Sequence, residues 1–81
     1  NHCVRRINLT SGTISLISGS PGNPGFSGDS GQGINALLNG PTSVHLDTIS
    51  KTLFISDQDN LRIRAIATDS NIVTIAGGTP D

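Results

Sequence analysis

The chain has 81 residues, 33% of them hydrophobic, and a formal net charge of −1. That length holds at most one small domain. The charge balance gives no electrostatic footprint for nucleic acid or an anionic membrane, and no apolar run approaches the ~20 residues of a membrane-spanning helix.

Met is absent, the acidic residues are all Asp, and Thr, Ser, Ile and Gly abound. Strong helix formers are therefore scarce, and β-branched and turn residues dominate. The chain does not begin with Met and is read as a piece of a larger polypeptide.

In chain order, the first predicted strand lies in "NHCVRRI", residues 1–7, and the second in "ISLISG", residues 14–19. Between them is Asn8-Leu9-Thr10, an N-x-T acceptor pattern for N-glycosylation. Cys3 is the chain's single cysteine. It reads either as a small buried apolar residue or as a partner for a cysteine outside the chain. Residues 20–40 follow as a crossing that holds most of the chain's 10 glycines. Within it, Asn35–Leu38 is expected to form one helical turn, with Phe26, Leu37 and Leu38 as apolar anchors. Pro41 presets the entry to the next strand. "TSVHLD" at 42–47 alternates apolar and polar residues, and "TLFISD" at 52–57 is apolar on both faces. "LRIRAIA" and "NIVTIAG" complete four short strands joined by turn residues.

The chain also repeats itself. "NHCVRRI" matches "NLRIRAI" at an offset of 63 − 4 = 59, and "ISLISG" matches "IVTIAG" at 72 − 14 = 58. The lost residue falls in a turn, where indels are tolerated. Val4 and Ile7, like Ile63 and Ile66, are three apart. That spacing breaks the strand period and predicts a bulge shared by both copies. The units are then 1–19, an outer hairpin; 20–40, a linker; and 41–78, a complete four-stranded meander.

Radial repetition of such meanders is the β-propeller. "GFSGDSGQGINALLNGPTSVHLD", "ISDQDNLRIRAI" and "IVTIAG" resemble, in order, the linker and strands of the NHL-repeat family. Asn1-His2 retains the Asn-His of the family's name. Leu61 stands where the family more often has His, and Ser30 and Gln32 where its linker more often has Gly and Pro. The resemblance implies an all-β fold: one propeller blade plus the outer two strands of the preceding blade, in a ring of usually six. It also implies structural roles for the linker and turn residues Gly28, Asp29, Gly31, Pro41, Asp57 and Asn60. Gly28, Gly31 and Gly33 are expected to take positive φ, and Asp29 to accept nearby backbone N–H groups.

"GDSG" at Gly28–Gly31 also surrounds the nucleophile of trypsin-like proteases. The triad needs a histidine and an orienting aspartate, and His2 and His45 are the only histidines. His2 is at the first residues, where order is usually poor, and the chain is far too short for two barrels. The stretch is therefore read as a turn. Asp57, Asp59 and Asn60 could begin a calcium loop but lack the ligand count of an EF-hand, so an Asx turn is the plainer reading. His45 and Asp47 share a strand face, yet a catalytic zinc site usually takes three protein ligands. Some NHL-like amidating lyases hold metal through histidines from several blades, which one blade cannot test. Arg5, Arg6, Arg62 and Arg64 read as edge solubility and a framework contact to Asp57 or Asp59. RNA binding, known for some NHL proteins, is disfavoured by the missing Tyr and Trp stacking platforms.

The expectation is a non-catalytic extracellular or cell-surface scaffold without cofactor or metal. Its expected partners are remaining blades, other copies of the chain and other proteins. The alternative is a slice of a propeller lyase or hydrolase whose site lies on other blades, and fold alone does not choose.

Overall fold

The computed structural model describes residues 1–77. Position 78, the expected outer limit of the four-stranded unit 41–78, lies outside the described residues. Six strands form: β1 Cys3–Ile7, β2 Ile14–Gly19, β3 Pro41–Asp47, β4 Thr52–Asp57, β5 Arg62–Ile66 and β6 Ile72–Gly77. β1 and β2 make a two-stranded antiparallel sheet, and β3-β4-β5-β6 make a four-stranded antiparallel meander in sequence order. The fold is all-β, as the strand and turn composition requires.

The repeat is visible in the backbone. The β1–β2 ladder slips between Val4 and Arg5, and the β5–β6 ladder slips between Ile63 and Arg64, 59 residues on. His2 and Leu61 precede the matching strands, and both take positive φ, 62° and 56°. Gly12 and Ser70 do so in the matching turns, at 76° and 68°. Gly19 and Gly77 end the matching strands at 91° and 83°. A side chain at Gly19 would collide with the His2 carbonyl, and one at Gly77 with the Leu61 carbonyl. The shared bulge inferred from the three-residue spacing is therefore present in both copies.

The core lies where the crossing meets the outer strands of the larger sheet. Leu38, Ile55 and Ile72 are fully buried, with Val4, Ala36 and Ile66 around them and Ile17 and Leu53 packed at the margin. Each fully buried aliphatic contributes roughly 1.5–3 kcal/mol relative to exposure. Leu38 anchors the crossing as expected. β3 is different. Val44 and Leu46 alternate with polar neighbours, yet both are about half exposed, at 53% and 54%. The apolar face of the first strand exists without a cover.

Two local expectations are corrected. The helical turn in the crossing is a 3-10 turn at Gly33–Asn35, not a turn over Asn35–Leu38. Leu37 instead bridges antiparallel to Ser27, and its carbonyl accepts from Arg64. In the "GDSG" stretch, Gly28 has φ 94°, but the next positive-φ residue is Ser30 at 69°, not Gly31 or Gly33. Gly33 lies in a tight space: an added Cβ would lie 3.0 Å from the end of the Ile66 side chain.

Candidate functional site

Two backbone carbonyls and one carboxylate of the crossing converge on Arg64. Its side chain is fully buried on β5. Nη1 donates to the Leu37 carbonyl at 2.8 Å, and Nη2 donates to the Ser27 carbonyl at 2.9 Å and to Asp29 Oδ1 at 2.8 Å. Asp57, also fully buried, brings Oδ2 to 4.0 Å from Nη1. The planar guanidinium suits this fork of acceptors, whereas a lysine ammonium would present one compact point charge. The Phe26 ring lies beneath two guanidinium groups, 3.7 Å from Arg62 and 4.8 Å from Arg64. Phe26 is thus a cation–π platform rather than a buried anchor.

Asp29 and Asp57 are the two acidic ends of this clasp. Asp29 Oδ2 accepts from the Thr74 hydroxyl at 2.7 Å, so one carboxylate joins the crossing to β5 and β6 together. The expectation that Asp29 serves neighbouring backbone N–H groups is corrected: the side-chain partners made here lie 35 and 45 residues away. Ser30 N–H donates to the Ile72 carbonyl at 2.7 Å, and Ile72 N–H donates to the Gly31 carbonyl at 2.9 Å. The "GDSG" segment is thereby stitched to β6. Asp57 Oδ1 accepts the Asn39 N–H at 2.7 Å, and Oδ2 accepts from Asn60 Nδ2 at 2.7 Å. Asn60 Nδ2 also donates to the Gly25 carbonyl at 2.8 Å. Asp57 does not cap the 3-10 turn Gln58–Asn60 that follows it, so the Asx-turn reading gives way to a carboxylate that holds the end of the crossing directly, at Asn39, and its earlier part through Asn60. Pro41 begins β3 opposite Asp57.

Arginine as edge solubility is therefore correct for Arg5 and Arg6, which are exposed, and wrong for Arg64. The expected framework contact of Arg64 to Asp57 is present at 4.0 Å, and Asp29, at 2.8 Å, is the closer partner. Nothing in the "RIRAI" string separates the buried arginine from the exposed ones. The distinction comes from the crossing that folds over β5. His2 is held as well: its Nδ1 accepts the Gly40 N–H at 3.1 Å and ties the first sheet to the start of the second.

Partial desolvation raises the Asp29 pKa, but the Thr74 hydroxyl and the bond to and charge of Arg64 outweigh it and hold the carboxyl below its ordinary value of 3.8. A carboxyl with a depressed folded-state pKa stabilises the fold above its unfolded value and loses that stabilisation as pH falls through the folded value. Urea midpoints are accordingly expected to drop as pH is lowered from about 4. Asp29→Asn is expected to lower the midpoint at neutral pH and flatten the acid limb. An unchanged acid limb in Asp29→Asn would show that Arg64 draws nothing from the Asp29 charge. Asp47 is likewise lowered, first by the Ile49 N–H and then by the Ser50 hydroxyl. It serves as the cap of the β3–β4 turn, with bonds of 3.0 Å to each. Among the described residues, no group of three or more His, Cys, Asp or Glu is placed to hold a metal.

Asn8 sits exposed in the β1–β2 turn. Its Oδ1 accepts the Thr10 N–H at 2.9 Å and the Ser11 N–H at 3.2 Å, an Asx turn. Cys3 is half-buried with a free thiol.

The structure thus defines an all-β chain built on an internal duplication, with a polar clasp that binds one crossing to one sheet. Teneurin-1 of Gallus gallus is similar to it, at 35% identity over 82 residues that take in 83% of this chain. The chain spans about 3% of the length of that curated relative. No family model matches the chain, and no solved structure matches it.

Proposed function

We propose that the chain is a segment of an NHL-type β-propeller that serves as a non-catalytic interaction scaffold in an extracellular or cell-surface protein. The observation that carries this reading is the duplicated backbone. Two sheets share a bulge, a positive-φ entry and a glycine exit at offsets of 59 and 58 residues. Repeats that cannot cover their own apolar faces are stabilised by neighbours, and Val44 and Leu46 are such a face. The similarity to a short stretch of Teneurin-1 supports placing the segment in a much longer polypeptide. The non-catalytic reading draws support from the "GDSG" residues, because Asp29 and the Ser30 backbone are committed to Arg64, Thr74 and Ile72. The test is an electron-microscopy reconstruction of the full natural polypeptide. A ring of four-stranded sheets is expected. A linear stack or an isolated sandwich at this segment would sink the reading.

The extracellular assignment rests on Asn8. The repeat places Ala67 at the equivalent position, so the framework requires no amide there. The residue is exposed, and both of its side-chain bonds use Oδ1 rather than the Nδ2 to which a glycan attaches. The Asn8 peptide from the natural source is expected to shift in mass on glycosidase treatment. An unmodified peptide removes the main support for a secreted location.

A further inference from the structure

Asn39-Gly40 is the only Asn-Gly pair in the chain. It joins the crossing to β3, and three hydrogen bonds fix its backbone. The Asn39 N–H donates to Asp57 Oδ1 at 2.7 Å, and the Asn39 carbonyl accepts the Asp59 N–H at 3.0 Å. The Gly40 N–H donates to His2 Nδ1 at 3.1 Å. Asn39 is half-buried, and among the described residues its side-chain amide makes no hydrogen bond. Gly40 has φ 60°. A Cβ on it would lie 2.5 Å from Asp59 Oδ2. The Gly40 nitrogen therefore has no side chain of its own to shield it, and a carboxylate flanks it.

Electrophile, nucleophile and base stand in a row here. Asn39 Cγ and the Gly40 nitrogen are the two ends of a five-membered ring that one new bond closes. The pair is covalently tethered, so its encounter costs little entropy. A protonated backbone amide is a weak nucleophile, and such a group is activated by a general base within about 2.6–3.2 Å of the proton to be removed. His2 Nδ1 lies within that reach. Because Nδ1 accepts, the bonded imidazole is neutral and carries its proton on Nε2. The backbone does not demand a histidine at this place. Leu61, at the matching repeat position, holds the same left-handed conformation, φ 56° against 62° at His2.

We propose that Asn39-Gly40 is a self-modification site at which His2 is the catalytic base. The imidazole takes the Gly40 amide proton as the nitrogen attacks Asn39 Cγ. The positive charge that arises on the ring has the Asp59 carboxylate close by, on the 3-10 turn Gln58–Asn60. The Cγ–Nδ2 bond then breaks, the proton passes from the imidazole to the departing nitrogen, and ammonia leaves. A succinimide remains. Water opens it at one of its two carbonyls and leaves aspartate or isoaspartate at position 39, with no oxidation or reduction. Isoaspartate inserts a main-chain methylene between the bond to Asp57 and the bond to His2. Either product sets a carboxylate on the residue bonded to Asp57 and Asp59, where like charges oppose one another. The conversion is one-way, and it loosens the end of the crossing that Asp57 holds.

The test follows position 39 in the full natural polypeptide by peptide mapping, with isoaspartate told from aspartate by fragmentation. At neutral pH the native protein is expected to convert at least about tenfold faster than the same polypeptide unfolded in urea, a modest share of what a positioned base supplies. His2→Gln keeps an acceptor for the Gly40 N–H but cannot take up its proton, and it is expected to cancel that advantage. A second readout needs no substitution. Conversion by the imidazole rises as the ring becomes neutral and then levels off, whereas conversion by hydroxide keeps climbing with pH. The native protein is expected to level off and the unfolded one to climb. Native conversion no faster than in urea, a rate unchanged in His2→Gln, or a native rate that climbs with hydroxide throughout would each overturn the proposal.

Discussion

Arg64→Ala is expected to cost about 3–5 kcal/mol, the range for removing one partner of a buried ion pair, and so to abolish the cooperative urea transition of the chain. The guanidinium is fully buried and joins four groups: two carbonyls of the crossing, Asp29 and Asp57. Truncation leaves the Asp57 carboxylate buried with Asn39 and Asn60 as its hydrogen-bond partners and, among the described residues, no cation within 4.0 Å. It also leaves the Leu37 carbonyl without its Arg64 donor. Arg64→Lys separates charge from geometry. A point-like ammonium keeps the charge but cannot span the fork, and a loss of about 1–3 kcal/mol is expected. Arg5→Ala, at the matching repeat position on an exposed residue, is expected to stay within about 0.5 kcal/mol. Equal losses at Arg5 and Arg64 in chemical denaturation would refute the assignment of the clasp.

The second large effect is expected at the paired glycines. Gly19→Ala and Gly77→Ala each place a Cβ against a carbonyl oxygen, that of His2 in one case and of Leu61 in the other. Both also force a side chain onto positive φ. Backbone strain of this kind costs about 1–3 kcal/mol before any steric displacement, so a loss of at least about 2 kcal/mol is expected at each. Gly12→Ala is the control. Gly12 has φ 76° with nothing within 4 Å of an added Cβ, and a loss of about 1–2 kcal/mol from conformation alone is expected there. Denaturation midpoints that rank Gly12→Ala with Gly19→Ala would mean that the collision is relieved by a small shift of the chain.

Strand identity was legible because it depends on local pattern. The spacing of Val4 and Ile7 against Ile63 and Ile66, with one residue missing from a turn, gave away both the duplication and the bulge. The clasp was not legible, although every member of it was in view. Asp29, Asp57 and Asn60 were singled out as local turn formers, because short-range rules assign an Asp or Asn to its nearest N–H groups. Apart from the bond between Asp57 and Asn60 and the approach of Asp57 to Arg64, their partners lie 18 to 45 residues away across the fold, beyond the reach of any periodicity. The framework contact of Arg64 to Asp57 was legible, but its burial and its closer partner Asp29 were not, for a related reason. A strand of alternating Arg and aliphatic residues reads as half exposed, and only the crossing laid over it reverses that. Likewise Ser30 takes the left-handed conformation that the neighbouring glycines were expected to supply, because its N–H must reach Ile72.

The stitching of the crossing to β6 bears on how the chain emerges from a ribosome. Asp29 is synthesised 45 residues before Thr74, its hydroxyl partner. At about 5–20 residues per second, the interval is roughly 2–9 s. Over that time the glycine-rich segment has no finished surface to settle on, and Arg64 arrives before the last strand that completes its enclosure. The unit is therefore sealed from its C-terminal side, so a translational pause after β6 has emerged from the ribosome would favour closure and one before it emerges would hold the nascent segment open to proteases and chaperones.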